Sequence, residues 1–147
     1  YESNFVDHHT WIDHQVEHTT SSQEYHGVVT GKARAVFNGK IRIHKDAQKS
    51  ATSQMNKNLL LSSTAEVDTK PELMIYADDV KASHGATIGQ IQKDELFYLL
   101  SRGLRASQAK ELLCAGFLNS IGESLSENLQ EEFKLSVSRS LAKIVEG

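Results

Sequence analysis

The apolar residues in the first two thirds of the chain occur in short runs that suit β-strands rather than helices. Residues 33–37 and 40–44 carry β-branched and aromatic side chains with partial alternation. Residues 58–62 and 72–77 are short apolar runs, and the polar stretch 19–22 suits a solvent-facing strand or a turn. No window of about 11 residues before Asp94 has a helical stripe of apolar side chains. We therefore predict that residues 1–90 are all-β.

The pattern changes to a helical period from Asp94 onward. Residues 94–102 present an apolar face and are followed by Gly103, the residue type that most often ends a helix. Ser107 is a suitable N-cap for a second helix, and Ser126 for a third. We predict three short amphipathic helices in residues 91–147, whose apolar faces must be covered by the β region or by a partner protein.

Asn38-Gly39 lies between two predicted strands and allows two interpretations. Asn-Gly favours a type I′ turn, because both central residues of that turn take positive φ, and this predicts an antiparallel hairpin. A tight corner in a coiled parallel array would favour glycine equally well. The local residues leave both interpretations open.

Composition excludes several classes of protein. The chain has 147 residues, of which 39% are hydrophobic and 24% charged, as is typical of globular domains rather than disordered segments. The formal net charge of −3 excludes a strongly basic nucleic-acid binder. No apolar run approaches the roughly 18 residues that a membrane span requires. The single cysteine, Cys114, excludes an internal disulfide, and we expect it to be a packing residue in a helix.

Four histidines near the start of the chain form the first group that could carry chemistry. His8, His9, His14 and His18 alternate with the carboxylates of Asp7, Asp13 and Glu17. On strands, His8, His14 and His18 would share a face and could bind a metal ion. The alternative is that these histidines are solvated, packed, or paired with the neighbouring carboxylates.

Residues 78–87 form the second group. Asp78 and Asp79 are adjacent, and His84 and Gly85 follow shortly after an apolar strand. Adjacent carboxylates repel each other, so that a cation, a metal ion or local backbone donors usually compensate them. The segment is either a functional site or a turn in which Asp78 or Asp79 bonds local amides.

Several segments together resemble the core of the SufB/SufD family. The resemblance extends over roughly residues 18–120 and is carried by residues 35–41, 46–49, 54–61, 70–73, 77–81, 83–89 and 96–103. Within the family, Ser83-His84-Gly85-Ala86-Thr87 resembles the SufD branch, whereas SufB would be expected to carry His-Glu-Ala-Thr.

This resemblance implies a mostly β fold with a small helical attachment. Residues 1–90 would be the C-terminal coils of a right-handed parallel β-helix, truncated on the N-terminal side, and residues 91–147 a C-terminal helical subdomain. Asn38-Gly39 would then be a corner of one coil. The chain starts at Tyr1 rather than at a methionine, and we expect it to be the end of a longer protein.

The resemblance also implies a function. Family members are scaffold subunits of iron–sulfur cluster assembly complexes, so we expect no catalysis by this chain, no stably bound cofactor, and a transient Fe–S cluster at most. The partners would be a SufC-like ATPase and either a SufB-like subunit or a second copy, with no nucleic acid and no membrane. The location would be the cytoplasm or, alternatively, a plastid. The expected SufC contact consists of Phe97, Tyr98, Leu100, Ser101, Arg102 and Gly103.

His84 matches the family histidine that is implicated in building or holding the nascent cluster. Imidazole is a reasonable iron ligand. Relatives often carry a cysteine two residues earlier, where this chain has Ala82, so residues 78–87 cannot supply a Cys/His pair. Either that cysteine is dispensable or ligation depends on SufB, and His84 could instead be a hydrogen-bonded interface residue.

Two other classes of function are open. Parallel β-helix enzymes that act on polysaccharides need an acidic cleft, commonly with calcium, and Asp78 and Asp79 could serve that role. A small metal-binding protein would instead use His8, His9, His14 and His18.

Overall fold

The computed structural model describes residues 4–145 and contains six strands followed by three helices. The strands are β1 (Phe5–His14), β2 (Thr20–Val29), β3 (Arg34–Ile43), β4 (Ala51–Leu60), β5 (Glu66–Ile75) and β6 (Lys81–Gln90). The helices are α1 (Lys93–Ser101), α2 (Ala106–Gly122) and α3 (Glu127–Val145). The predicted change from strands to helices is confirmed.

Alternate strands pair in parallel, which gives two three-stranded sheets, β1-β3-β5 and β2-β4-β6. The chain passes from one sheet to the other and returns after a nearly constant interval. Phe5 pairs with Arg34, which pairs in turn with Glu66. In the second sheet Thr20 pairs with Ala51, and Ala51 pairs in turn with Lys81. Because side chains alternate between the two faces, paired residues of neighbouring strands stack in columns on the same face.

The space between the sheets is apolar on one side and polar on the other. Sheet β1-β3-β5 contributes the buried residues Phe37, Ile41 and Ile43. Buried amides and hydroxyls need hydrogen-bond partners, and several here find them within their own sheet. Asn58 Nδ2, for example, donates to the neighbouring buried side chain on β4. The polar residues buried from sheet β2-β4-β6 are Thr52, Gln54, Asn56 and Asn58.

Asn38-Gly39 lies in the middle of β3, so the hairpin and the corner interpretations are both wrong. Gly39 approaches the opposite sheet, where the Gln54 side chain occupies the position that a Cβ at residue 39 would take. The glycine is therefore required by a close contact across the core rather than by a turn. Residues with positive φ in the turns between strands are His18, Gly31 and Lys49.

Helices α2 and α3 pack against the outer face of sheet β2-β4-β6. Cys114 of α2 and Leu141 of α3 are buried in a cluster that includes Val28 and Leu59 of the sheet. The β region thus supplies the surface that α2 and α3 need to bury their apolar faces, whereas α1 buries none of its residues.

The helix starts differ in how well the sequence predicts them. α3 begins directly after Ser126, as expected. Ser107 is not an N-cap, because α2 already begins at Ala106 with Arg105 in the cap position. The Arg105 backbone N–H donates to Gln108 Oε1 over 3.1 Å, which ties down this first turn without a serine.

Candidate functional site

Residues 78–87 divide into a turn and a strand. Asp78 and Asp79 are exposed in the turn before β6, and the following residues lie in β6 itself. The Asp79 backbone N–H donates to Gln48 Oε1 over 3.0 Å, and its carbonyl oxygen accepts a bond from the Lys49 N–H. These backbone contacts fit the interpretation of this segment as a turn.

His84 lies on the face of β6 that continues the polar core. It pairs with Gln54 of β4, and Gln54 pairs with Gln23 of β2. Gln54 is 1% exposed, whereas His84 is exposed because, within residues 4–145, β6 is the outer strand of its sheet. The imidazole is thus the exposed end of a column whose middle member, Gln54, is covered.

Ala82 shares that face with His84, because the two residues are separated by two positions on a strand. It pairs with Thr52 and packs against the buried cluster around Ile41 and Ile43. A cysteine at position 82 would place a thiol beside the imidazole. With alanine there, the same surface offers only the imidazole.

Cys114 cannot supply the missing thiolate at this surface. It is buried between α2 and α3, next to Val137 and Leu141. Burial raises the pKa of its thiol to about 11, with only partial opposition from the charge of Lys110. A thiol that stays neutral in apolar surroundings is a packing group rather than a metal ligand.

The four N-terminal histidines are dispersed by the fold. His14 is buried, and its ring nitrogens bond the hydroxyls of Thr19 and Ser21 over 2.6 and 2.8 Å. His8 lies near the Tyr25 ring, with 6.3 Å between ring centroids. His9 faces the carboxylate of Asp7 at 2.9 Å, and His18 stands in the turn after β1. In the part of the chain that the structure describes, no three His, Cys, Asp or Glu side chains are grouped to hold a metal ion.

A cavity of about 1040 Å³ opens between the sheets, away from His84. It lies near the end of β2 and the start of β3, and it is lined in part by Tyr25, Phe37, Asn56 and Asn58. No residue of the segment 78–87 lines it. Asp78 and Asp79 therefore do not give this cavity the acidic lining that an enzyme acting on polysaccharides would use.

Helix α1 carries the most exposed apolar surface of the helical region. Phe97, Tyr98 and Leu100 are 73%, 55% and 40% exposed, and no residue of the helix is buried. Large apolar side chains grouped in this way on a helix are typical of a protein-binding surface.

The end of α1 is held by local contacts of the other three predicted contact residues. The Arg102 guanidinium lies 5.2 Å from the centroid of the Tyr98 ring. Ser101 Oγ donates to the Tyr98 carbonyl oxygen over 2.7 Å, and Gly103 ends the helix with a φ of 91°. The six predicted contact residues are thus brought together on one helix and its C-terminus.

His26 connects the sheet to α2, and sequence reasoning did not single it out. Its side chain is 1% exposed. Nδ1 lies 2.9 Å from the Phe117 carbonyl oxygen and Nε2 lies 2.9 Å from Glu24 Oε1, so each ring nitrogen faces an oxygen that can accept a hydrogen bond. The ring also stacks on that of Phe117 at 4.8 Å. Hydrogen bonds from Lys57 and then His26 lower the pKa of the Glu24 carboxyl.

None of the helices described between residues 4 and 145 is long and apolar enough to cross a membrane.

A family model and several known proteins match this chain. A family model described as "SUF system FeS cluster assembly, SufBD core domain" matches residues 2–117. The chain is 44% identical over 124 residues to the iron–sulfur cluster assembly protein SufD of Escherichia coli (strain K12), covering 84% of this chain and 29% of that protein.

Two further relatives have similar identities. An iron–sulfur cluster assembly SufBD family protein of Synechocystis is 46% identical over 115 residues, which is 78% of this chain and 25% of the relative. The chloroplastic protein ABCI7 of Arabidopsis thaliana is 41% identical over 90 residues, which is 61% of this chain and 19% of the relative. The chain thus spans less than a third of the length of these relatives.

Proposed function

Because this chain belongs to the SufBD core family of the SUF iron–sulfur cluster assembly system, we propose that it is a non-catalytic scaffold subunit of a cluster assembly complex. Its C-terminal helices bind a SufC-like ATPase, and its strands associate with a SufB-like subunit or with a second copy. The bacterial relatives favour a cytoplasmic location, and the chloroplastic relative favours the plastid alternative.

The two sheets are the C-terminal coils of a right-handed parallel β-helix in this proposal. The constant interval between paired strands supports it, since each coil contributes one strand to each sheet. Parallel strands joined through a crossover are right-handed in nearly all proteins, which favours the same hand here.

The iron–sulfur cluster is cargo of the complex rather than a resident cofactor of this chain. His84 is the residue that contributes a ligand while the cluster is held, and its exposed position on β6 supports this role. With alanine at position 82 and Cys114 buried, the thiolate ligands come from the partner subunit.

The observation that carries the docking proposal is the exposed apolar surface of α1. Phe97 and Leu100 project from a helix that buries none of its residues within this chain. Burying one large apolar side chain is worth about 1.5–3 kcal/mol, so that a few such residues can dominate an interface.

Binding to a SufC-like ATPase tests the docking proposal. Phe97→Ala and Leu100→Asp should each weaken retention on the immobilised ATPase by about tenfold or more, because truncating an interface anchor costs over 1.4 kcal/mol. Val16→Asp, which changes an exposed valine in the turn after β1 and outside the helices, is the matched control and should bind normally. Circular dichroism verifies that each variant is folded. Unchanged binding by folded Phe97→Ala and Leu100→Asp proteins would show that α1 is not the contact.

A further inference from the structure

A column of polar side chains leads through the core of sheet β2-β4-β6 to His84. The strand register stacks Gln23, Gln54 and His84 above one another. Gln54 Nε2 donates to Gln23 Oε1 over 2.7 Å, so the amide group of Gln54 has its donor directed down the column. The side-chain oxygen, Gln54 Oε1, can therefore accept a hydrogen bond from another group.

That oxygen has no hydrogen-bond partner among the described residues, although Gln54 is 1% exposed. A buried carbonyl oxygen without a donor is costly and uncommon in native folds. Loose packing around the amide does not explain the missing partner, because the amide is confined against Gly39 of the opposite sheet. The next residue of the column, His84, is the one that carries a ring N–H.

We propose that Gln54 is a positioning residue for His84. The exposed imidazole makes no hydrogen bond to Gln54 in the structure, and it turns about its side-chain bonds to donate one ring N–H to Gln54 Oε1. A neutral imidazole that donates through one nitrogen has its lone pair on the other. The bond therefore selects one tautomer and presents an unprotonated nitrogen to a metal ion. A carbonyl oxygen behind a metal-binding histidine commonly has this effect. The inference rests on the proposed role of His84 as a cluster ligand.

A buried water is the competing explanation for the unpaired oxygen. Thr10 lies opposite, paired with Gly39, and its Oγ1 is also buried without a partner among the described residues. A water that bridges Thr10 and Gln54 would satisfy both groups and would leave the His84 ring unaffected.

Nitrogen-15 NMR of the chain with labelled histidine separates the two explanations without any metal. At a pH where the ring is neutral, the ring shifts report the tautomer, and His84→Ala assigns the signal. We expect one tautomer to dominate, and Gln54→Leu to reduce the tautomer ratio by about fivefold. Gln54→Glu retains an acceptor oxygen and should preserve the preference. If the Gln54→Leu protein does not fold, the same measurement is made on Gln54→Met, which keeps the side-chain length.

Thr52→Val is the matched control, because Thr52 is buried on the same strand but stacks beneath Ala82 instead of His84. It should leave the tautomer ratio unchanged. Broadening of the His84 signal by Co²⁺ gives a second measurement, in which Gln54→Leu should weaken binding about tenfold.

The outcomes separate the two proposals. An unchanged tautomer ratio in folded Gln54→Leu protein overturns the positioning role, whatever His84 does with metal. If Gln54→Leu changes the tautomer ratio but Co²⁺ does not broaden the His84 signal, the result supports the positioning role of Gln54 and contradicts the ligand role of His84.

Discussion

At the scale of single residues, position within a column of stacked side chains determines whether a polar side chain is buried in the core or accessible to a ligand. Gln54 is the middle member of the column that runs from Gln23 to His84, and it is covered by the opposite sheet. Alternating polar residues such as Gln54 and Asn56 would normally be expected to face solvent. They face the core here because stacked amides can pair with one another. The motif at residues 83–87 identifies His84, but nothing in the sequence points to the glutamine beneath it.

Replacement of His84 by alanine should impair cluster assembly without unfolding the chain. The side chain is exposed, so we expect the free energy of unfolding to change by no more than about 0.5 kcal/mol. Cluster formation by the reconstituted complex, followed by its absorbance, should fall because one ligand is missing. His9→Ala changes an exposed histidine outside the column and should retain full assembly. Wild-type assembly by the His84→Ala protein would mean that the histidine is not a ligand.

At the scale of elements, the attachment of the helices to the sheet depends on a buried polar contact as well as on apolar packing. His26 of β2 bonds the Phe117 carbonyl oxygen of α2 and stacks on its ring. Glu24 on the same strand accepts bonds from both His26 and Lys57. The contact therefore fixes α2, and through it the neighbouring α1, relative to the sheet.

His26→Ala should destabilise the protein by about 1–3 kcal/mol, because it removes a buried ring together with its stacking on Phe117 and its hydrogen bonds to the Phe117 carbonyl oxygen and to Glu24. Urea unfolding measures this loss of stability. His44→Ala, which changes a less buried histidine paired with Asp13, should lower the free energy of unfolding by less.

The lowered pKa of Glu24 gives its pairing a stabilising effect above the unfolded carboxyl pKa of about 4.3, and this effect is lost as pH falls through the folded pKa. The difference in the free energy of unfolding between wild type and His26→Ala should therefore become smaller in acid. A difference that is constant between neutral and acid pH would argue against the Glu24–His26 pairing.

The elements themselves could be predicted from the sequence to different degrees. The α1 helix and its Gly103 end follow from local periodicity and from a residue type with few alternatives. Asn38-Gly39 was misinterpreted because the reason for its glycine lies in Gln54, which is distant in sequence and close only across the core. Two turns use positive φ at His18 and Lys49, residues that carry no turn signal of their own.

At the scale of the whole molecule, the two sheets have outer strands whose backbone groups are available for pairing. Within residues 4–145, β5 and β6 are the last strands of their sheets. Exposed apolar side chains, Ile75, Tyr76 and Ile88, lie at the same end. Uncovered strand edges of this kind favour association with another chain. No local pattern in the sequence reveals which strands are outermost.

We predict that the chain alone associates with itself through β5 and β6. Light scattering at increasing concentrations should give a mass that rises toward that of a dimer. Ile88→Lys should shift this transition to higher concentration, because it places a charge on the outer strand, whereas Leu135→Asp on α3 should not. A mass that stays monomeric at every concentration would contradict the prediction.

The six strands described between residues 4 and 145 all have the same length, whereas the turns between them do not. The turns span residues 15–19, 30–33, 44–50, 61–65 and 76–80, so stacked turns differ in length although the stacked strands remain in register. Insertions and deletions can therefore accumulate at the corners without disturbing the columns. One residue inserted within a strand would instead move every later side chain of that strand to the opposite face. For protein engineering, an exposed corner position such as Ser63 is accordingly a place where a peptide tag or a binding loop can be added while the column beneath His84 is preserved.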